Sequence, residues 1–119
     1  MELSKIGELI DAKVLTGEDM LHTDIGYVFS SDLMSDVLAL VVCDTILLTG
    51  LTNIQTIRTA EMMDIKCIIY VRGKTPDKQV ISLALDKGIC LMNTPNIMFT
   101  TCGILYNNGL KGAVIENGR

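Results

Sequence analysis

The sequence predicts an α/β domain: a mainly parallel sheet with helices on both faces, assembled from successive βαβ units. Three observations predict it. First, Thr45 to Thr49 (TILLT), Cys67 to Val71 (CIIYV) and Ile89 to Met92 (ICLM) are short, continuously apolar runs, the pattern of strands covered on both faces. Second, helical patterns of about ten residues separate them, which is the spacing of right-handed crossovers. Third, a shift of 23 residues lays Gly50 on Gly73, Thr52 on Thr75, Ile57 on Val80, Met62 on Leu85 and Cys67 on Cys90. Two successive strand–loop–helix units therefore share one length and one turn chemistry. The period does not continue, so it marks architectural regularity and not a solenoid.

Each element has its own signal. Leu3, Ile6 and Ile10 space an amphipathic helix over Leu3 to Asp11. Ile25 to Ser30 (IGYVFS) is a further β-rich run, and Ser31 or Asp32 can cap a helix from Leu33 to Val42. After the TILLT strand, Thr52 and Gln55 fit a capping box, followed by the helical face Ile54, Ile57, Ala60 and Met63. Thr75-Pro76 and Thr94-Pro95 each predict an N-cap with proline at the first helical position. The faces that follow are Val80, Ile81, Ala84, Leu85 and then Ile97, Met98, Thr101, Cys102, Leu105. One domain over residues 1–110 results. Residues 111–119 form a tail with few anchors, expected to fray or to pair with a partner chain.

Composition narrows the function. The chain has 119 residues, 49% apolar and 20% charged, with a net charge of −4 and a pI near 4.8. That balance excludes a basic nucleic-acid face and argues equally against binding an anionic membrane surface. The longest apolar run, Val37 to Cys43, is too short to span a bilayer. MELSKIGELIDAK lacks the apolar core of a signal peptide, so the expected compartment is cytoplasmic. Aromatics are only 4%, so the core draws on Ile, Leu, Val, Met and Ala. Met20, Met34, Met62, Met63, Met92 and Met98 read as core filler. Cys43, Cys67, Cys90 and Cys102 show no CxxC spacing, and the single His22 is remote from them, so no metal site and no cofactor are expected. Cys67 and Cys90 read as small buried hydrophobes. Cys102, after Thr100 and Thr101, is the one thiol whose setting invites attention.

In a parallel sheet the three helices that follow strands begin along one edge, beyond the strands' carboxyl ends, where open α/β sheets bind ligands. Helix N-termini there offer unpaired N–H groups. Thr49, Gly50, Thr52, Arg72, Gly73, Lys74 and Thr94 accordingly outline an anion or nucleotide cradle. The plain alternative is that Thr caps helices and Gly makes turns in every α/β protein, and no GxGxxG or GxxxxGK[ST] string decides against it. Ser30-Ser31-Asp32 with Asp36 either hydrogen-bond a ligand at the same edge or cap the next helix. His22 lies among acidic residues in a solvated loop, and Glu61 and Asp64 face solvent without forming an acid–base pair.

The segments SDLMSDVLAL, LLTGLTNIQTIRTAEMMDIKCIIYVRGKTPDKQVISLALDKGICLMNT and MFTTCGILYNNGL resemble the DRTGG domain family, and the opening IGELIDAKVLTGED is also similar. Family members form a middle region of many phosphotransacetylases and an insert in CBS-domain pyrophosphatases. They also resemble the amino-terminal domain of HPr kinase/phosphatase. The resemblance implies an α/β domain with a dimer-forming or regulatory role and no catalysis. It places the family's glycine turns on Thr49-Gly50 and Gly73, and its helical threonine on Thr100. The literal DRTGG string is absent: Leu51-Thr52 stand where Asp-Arg often follows the first turn, and Arg72-Gly73 replaces Gly-Gly.

The function expected is a non-catalytic cytoplasmic regulatory or oligomerisation module. It is expected to be a homodimer joined through the Val37–Val42 helix or the tail, with a small anionic metabolite or nucleotide at the sheet's carboxyl edge. A protein–protein interaction domain without ligand is the alternative. A small phosphoryl- or acyl-transfer enzyme is a more distant one, since only Cys102 and His22 could serve it and nothing in the sequence places them together.

Overall fold

The computed structural model describes residues 1–40 and 44–113. The expected helix end at Val42 and most of the expected tail lie outside them. In chain order the elements are α1 (Leu3–Leu9), β1 (Lys13–Thr16), a 3-10 turn (Glu18–Met20), β2 (Tyr27–Ser30), α2 (Met34–Leu40), β3 (Thr45–Thr49), α3 (Ile54–Met62), β4 (Cys67–Tyr70), α4 (Lys78–Lys87), β5 (Cys90–Asn93), α5 (Met98–Asn107) and β6 (Lys111–Gly112). The six strands make one sheet in the order β1-β5-β4-β3-β2-β6. All neighbours run parallel except β1, which lies antiparallel to β5.

The 23-residue repeat is the register of the two central strands. Cys67 pairs with Cys90, Ile68 with Leu91, Ile69 with Met92 and Tyr70 with Asn93, each 23 positions apart. Strand alternation then sorts the side chains to two faces. Ile46, Leu48, Cys67, Ile69, Cys90 and Met92 join Leu3, Ile6 and Ile10 of the first helical segment and Leu105 of α5. Leu47, Ile68, Tyr70 and Leu91 meet Val37, Ile57, Ala60, Val80 and Ala84 from α2, α3 and α4. β3 and β4 are buried at every position, which is why both read as unbroken apolar runs.

The edge strands escaped the sequence reading. β1 is four residues long and its burial alternates poorly. Its anchor is polar: the buried Thr16 hydroxyl donates to the Ile89 carbonyl (2.9 Å) and accepts from the Leu91 N–H (3.0 Å). These bonds lie beside the register shift between Val14 and Thr16. β6 has two residues, pairs with β2 and carries the sheet past position 110.

The helix starts differ from the expected ones. The Thr52–Gln55 capping box does not form: Asn53 is the N-cap of α3 and makes no side-chain cap. Asp77, and not Thr75, caps α4, accepting from the Val80 N–H at 3.1 Å. α5 begins after Ile97 without a side-chain cap. In each case the chain runs on past its threonine before the helix starts. All three helices still start beyond the carboxyl ends of β3, β4 and β5, but on two faces, since α5 packs opposite α3 and α4. The core-filler reading holds for the buried Met92 and fails for Met62, which is 72% exposed on the outer side of α3.

Candidate functional site

The carboxyl ends of β2, β3 and β4 place three short loops side by side. Ser31 takes up the local turn: its hydroxyl accepts from the Leu33 N–H at 3.0 Å. Asp32 instead reaches across to β3. Its Oδ1 accepts from the Gly50 N–H (2.7 Å) and from the Thr49 hydroxyl (2.9 Å). That carboxylate therefore sits at the sheet edge, and it occupies the backbone donor that an anion cradle at Gly50 would use. Thr49 is fully buried, and its oxygen also accepts from the Leu51 N–H at 3.1 Å. Its role is to hold the loop.

Arg72 and Gly73 follow β4 in consecutive left-handed conformations, φ +61° and +66°. The turn is fixed by the Arg72 N–H donating to the Asn96 carbonyl (2.8 Å) and the Gly73 N–H to the Thr94 carbonyl (2.7 Å). The other non-glycine residues at positive φ, Asp11, Asp44 and Asp64, are of a type that tolerates it. For arginine it costs roughly 1–2 kcal/mol. The guanidinium leans over Gly50. A Cβ built on that glycine would lie 3.0 Å from Arg72 Nη2 and 3.5 and 3.6 Å from the Asp32 carboxylate oxygens. The missing side chain thus leaves the room in which cation and carboxylate approach each other. Among the described residues Arg72 is exposed and forms no ion pair.

The other expected site residues divide. Lys74 is exposed on the same loop, and its carbonyl accepts from Asn93 Nδ2 at 3.3 Å. Thr52 is half-buried in the loop before α3, and Thr100 is exposed on the first turn of α5. Thr94 is buried and lies beneath the rim. Its hydroxyl donates to the Ile10 carbonyl (2.6 Å) and accepts from the Asn96 N–H (3.3 Å), tying the end of the first helical segment to the loop before α5.

One feature was not anticipated. Between α5 and the β2–β6 edge lies an open, largely apolar groove of about 330 Å³, lined by Val28, Phe99, Cys102, Tyr106 and Leu110, with Ser30 and Lys111 as its polar residues. Phe99 is 84% and Tyr106 74% exposed. The Ser30 hydroxyl and the Cys102 thiol are in contact at 2.9 Å. The sequence does carry a trace of it: Phe99, Cys102 or Gly103, and Tyr106 form a second helical stripe beside the buried one.

The remaining reactive groups lie elsewhere. Cys67 and Cys90 are fully buried register partners. The Cys67 thiol is held well above its ordinary value by its hydrogen bond with Cys90 and then by burial. His22 is exposed, 3.2 Å from Glu2. No contact joins it to Cys102 among the described residues. Among those residues no helix is long and apolar enough to cross a membrane, and no cluster of His, Cys, Asp or Glu is placed to hold a metal.

The fold has a solved counterpart. The chain is similar to the structure of the CBS and DRTGG domains of the regulatory region of Clostridium perfringens pyrophosphatase, complexed with the activator diadenosine tetraphosphate. The TM-score is 0.73 at 20% identity, over 87% of this chain and 45% of that one. This chain thus spans less than half of that neighbour's length, and the likeness shows a DRTGG-like fold. No family model matches the sequence, and neither does any curated protein.

Proposed function

We propose that the chain is a regulatory module without catalysis of its own, that it binds a small anionic metabolite or nucleotide at the carboxyl rim, and that it works as a homodimer in the cytoplasm. The observation that carries this reading is Arg72: an exposed guanidinium, without an ion pair among the described residues, held by a strained turn over a side-chain-free glycine, at the edge where parallel sheets receive ligands. Gly73 and Lys74 continue the same loop, the Thr49 and Thr94 carbonyls accept backbone bonds from it, and we assign Thr52, in the loop before α3, and Thr100, on the first turn of α5, to the same site. The fold neighbour is a regulatory region bound to a nucleotide activator, which fits a ligand-responsive role. The outward-facing Leu33 and Leu38, 57% and 39% exposed beside and on α2, supply apolar surface for a second copy.

Thermal unfolding against nucleotides, sugar phosphates and acyl phosphates tests this, with native mass spectrometry for subunit number and retained ligand. A ligand at 100 times its Kd adds about 2.7 kcal/mol. At about 2.1 cal/mol/K of unfolding entropy per residue, a chain of 119 residues then melts roughly 10 °C higher. Arg72→Gly keeps the turn and removes the charge, and the shift should vanish. A shift that survives Arg72→Gly refutes the placement. No shift with any anion favours a pure interaction domain.

A further inference from the structure

Three chemically distinct features follow one another along the rim, in an order that specifies a ligand. Arg72 stands at the end of β4, Asp32 is hydrogen-bonded at the end of β3, and the apolar groove opens at the end of β2 and runs toward β6. Cation, carboxylate and apolar slot come in the order phosphate, sugar hydroxyls, base. We propose that, granted the anion-binding reading above, the ligand is a ribonucleotide. Its phosphate meets Arg72, its ribose hydroxyls donate to Asp32, and its base lies in the groove against Phe99 and Tyr106.

The dimensions agree. The Arg72 guanidinium leans over Gly50 at the end of β3 and lies at most about 6.5 Å from the Asp32 carboxylate; one further strand spacing of about 4.8 Å reaches the mouth of the groove on β2, so cation and slot are separated by roughly 7–11 Å, within the reach of a nucleoside phosphate. Ser30 and Asp32 are two residues apart, at most about 7 Å along the chain, so slot and carboxylate adjoin. A cavity of about 330 Å³ lies at the small end of the range for ligand pockets of roughly 300–1,000 Å³, room enough for one aromatic ring system.

Asp32 is the discriminating element. Its Oδ1 holds the Gly50 N–H and the Thr49 hydroxyl, while Oδ2 makes no hydrogen bond among the described residues. An ionised carboxylate only accepts. It repels a bare polyphosphate and rewards a ligand that brings O–H donors beside its phosphate. Backbone donors at Gly50 are already occupied, so an inorganic anion cannot displace charge there without opening the Asp32 contact.

Isothermal titration calorimetry with ADP, 2′,3′-dideoxy-ADP and pyrophosphate tests the assignment. ADP should bind at least about tenfold more tightly than either of the others, the size expected of a hydrogen bond to a charged group. Asp32→Asn keeps an acceptor for the Gly50 N–H and removes the charge. The ADP preference over both should then shrink severalfold. Gly103→Leu fills the groove from α5, where a Cβ meets nothing within 4 Å. ADP affinity should fall about tenfold while pyrophosphate binding stays as it was. ADP should also slow alkylation of Cys102 in the groove wall. Equal binding of pyrophosphate and ADP overturns the proposal while leaving an anion site standing. An unchanged preference in Asp32→Asn, or Gly103→Leu that changes only the subunit number, does the same. Absence of binding by any of the three overturns the ribonucleotide assignment, and the anion site falls with it when sugar phosphates and acyl phosphates also give no thermal shift.

Discussion

Two glycines offer a controlled comparison of space against strain. At Gly17 the backbone is left-handed, φ +84°, and a Cβ would meet the Cα and Cβ of Cys90 at 2.9 Å. Cys90 is fully buried in a central strand and cannot withdraw. Gly17→Ala therefore incurs roughly 1–2 kcal/mol for the left-handed conformation and about 1–3 kcal/mol for overpacking, together about 2–5 kcal/mol. At about 2.1 cal/mol/K per residue over 119 residues, the melting temperature should fall roughly 8–20 °C. At Gly50 the φ is not positive, and the nearest atom to a new Cβ, at 3.0 Å, is the tip of the exposed Arg72 side chain. That tip can swing away. Replacing Gly also lowers unfolded-state entropy, worth about 0.4–1 kcal/mol. Gly50→Ala should thus leave the melting temperature unchanged or a few degrees higher, while weakening anion binding by displacing the guanidinium. Differential scanning fluorimetry of both variants in one buffer reads the contrast. Equal destabilisation at the two sites would mean that Gly50 is held by the fold, and the argument that it makes room for a ligand would fail.

Two threonines should respond oppositely to valine. Thr16→Val orphans the Ile89 carbonyl and the Leu91 N–H in the sheet and should cost roughly 2–4 kcal/mol in urea unfolding, whereas Thr59→Val removes a buried hydroxyl that has no partner among the described residues and should gain up to about 1 kcal/mol. Stability should decline above about pH 10. Tyr70 is raised from 10.0 by burial despite the Thr56 hydroxyl, whereas the Cys67–Cys90 hydrogen bond raises one thiol and lowers the other, so its two effects oppose each other. The unfolded tyrosine loses its proton first, so the unfolded state gains as pH rises, and Tyr70→Phe should flatten the decline in pH-dependent denaturation. Peptide-mapped alkylation of the native protein should label Cys102, half-buried, before the buried Cys67 and Cys90; the reverse order would contradict their packing.

What could be read from the sequence followed burial. β3, β4 and β5 are covered on both faces, so their side chains had to be apolar without alternation, and the 23-residue offset imprinted their register on the sequence. β1 and β6 are edge strands with half their surroundings in solvent, and neither composition nor period distinguishes them from loop. The threonine caps failed because a Thr-Pro or Thr-x-x-Gln string describes only local options. Thr94 was drawn instead to the Ile10 carbonyl, a partner 84 positions away. Asp32 illustrates the same limit. Its sequence neighbourhood offered capping or edge binding, and the choice was made by the Gly50 N–H, which becomes its neighbour only once β2 and β3 pair in parallel.

At the rim the Asp32 carboxylate stands beside the Arg72 cation, and that bears on selectivity. With the Gly50 N–H already answered by Asp32, a ligand's anion draws chiefly on Arg72, whose side chain must hold its place against a flexible stem's entropy. The strained backbone at φ +61° directs that stem over Gly50. Arg72→Gly releases the roughly 1–2 kcal/mol of left-handed strain, offset by up to about 1 kcal/mol of added unfolded-state entropy. The free protein should become no less stable while ligand stabilisation disappears. A purely structural arginine predicts the opposite pair of signs, because removing it would lower the stability of the free protein and leave any ligand effect intact.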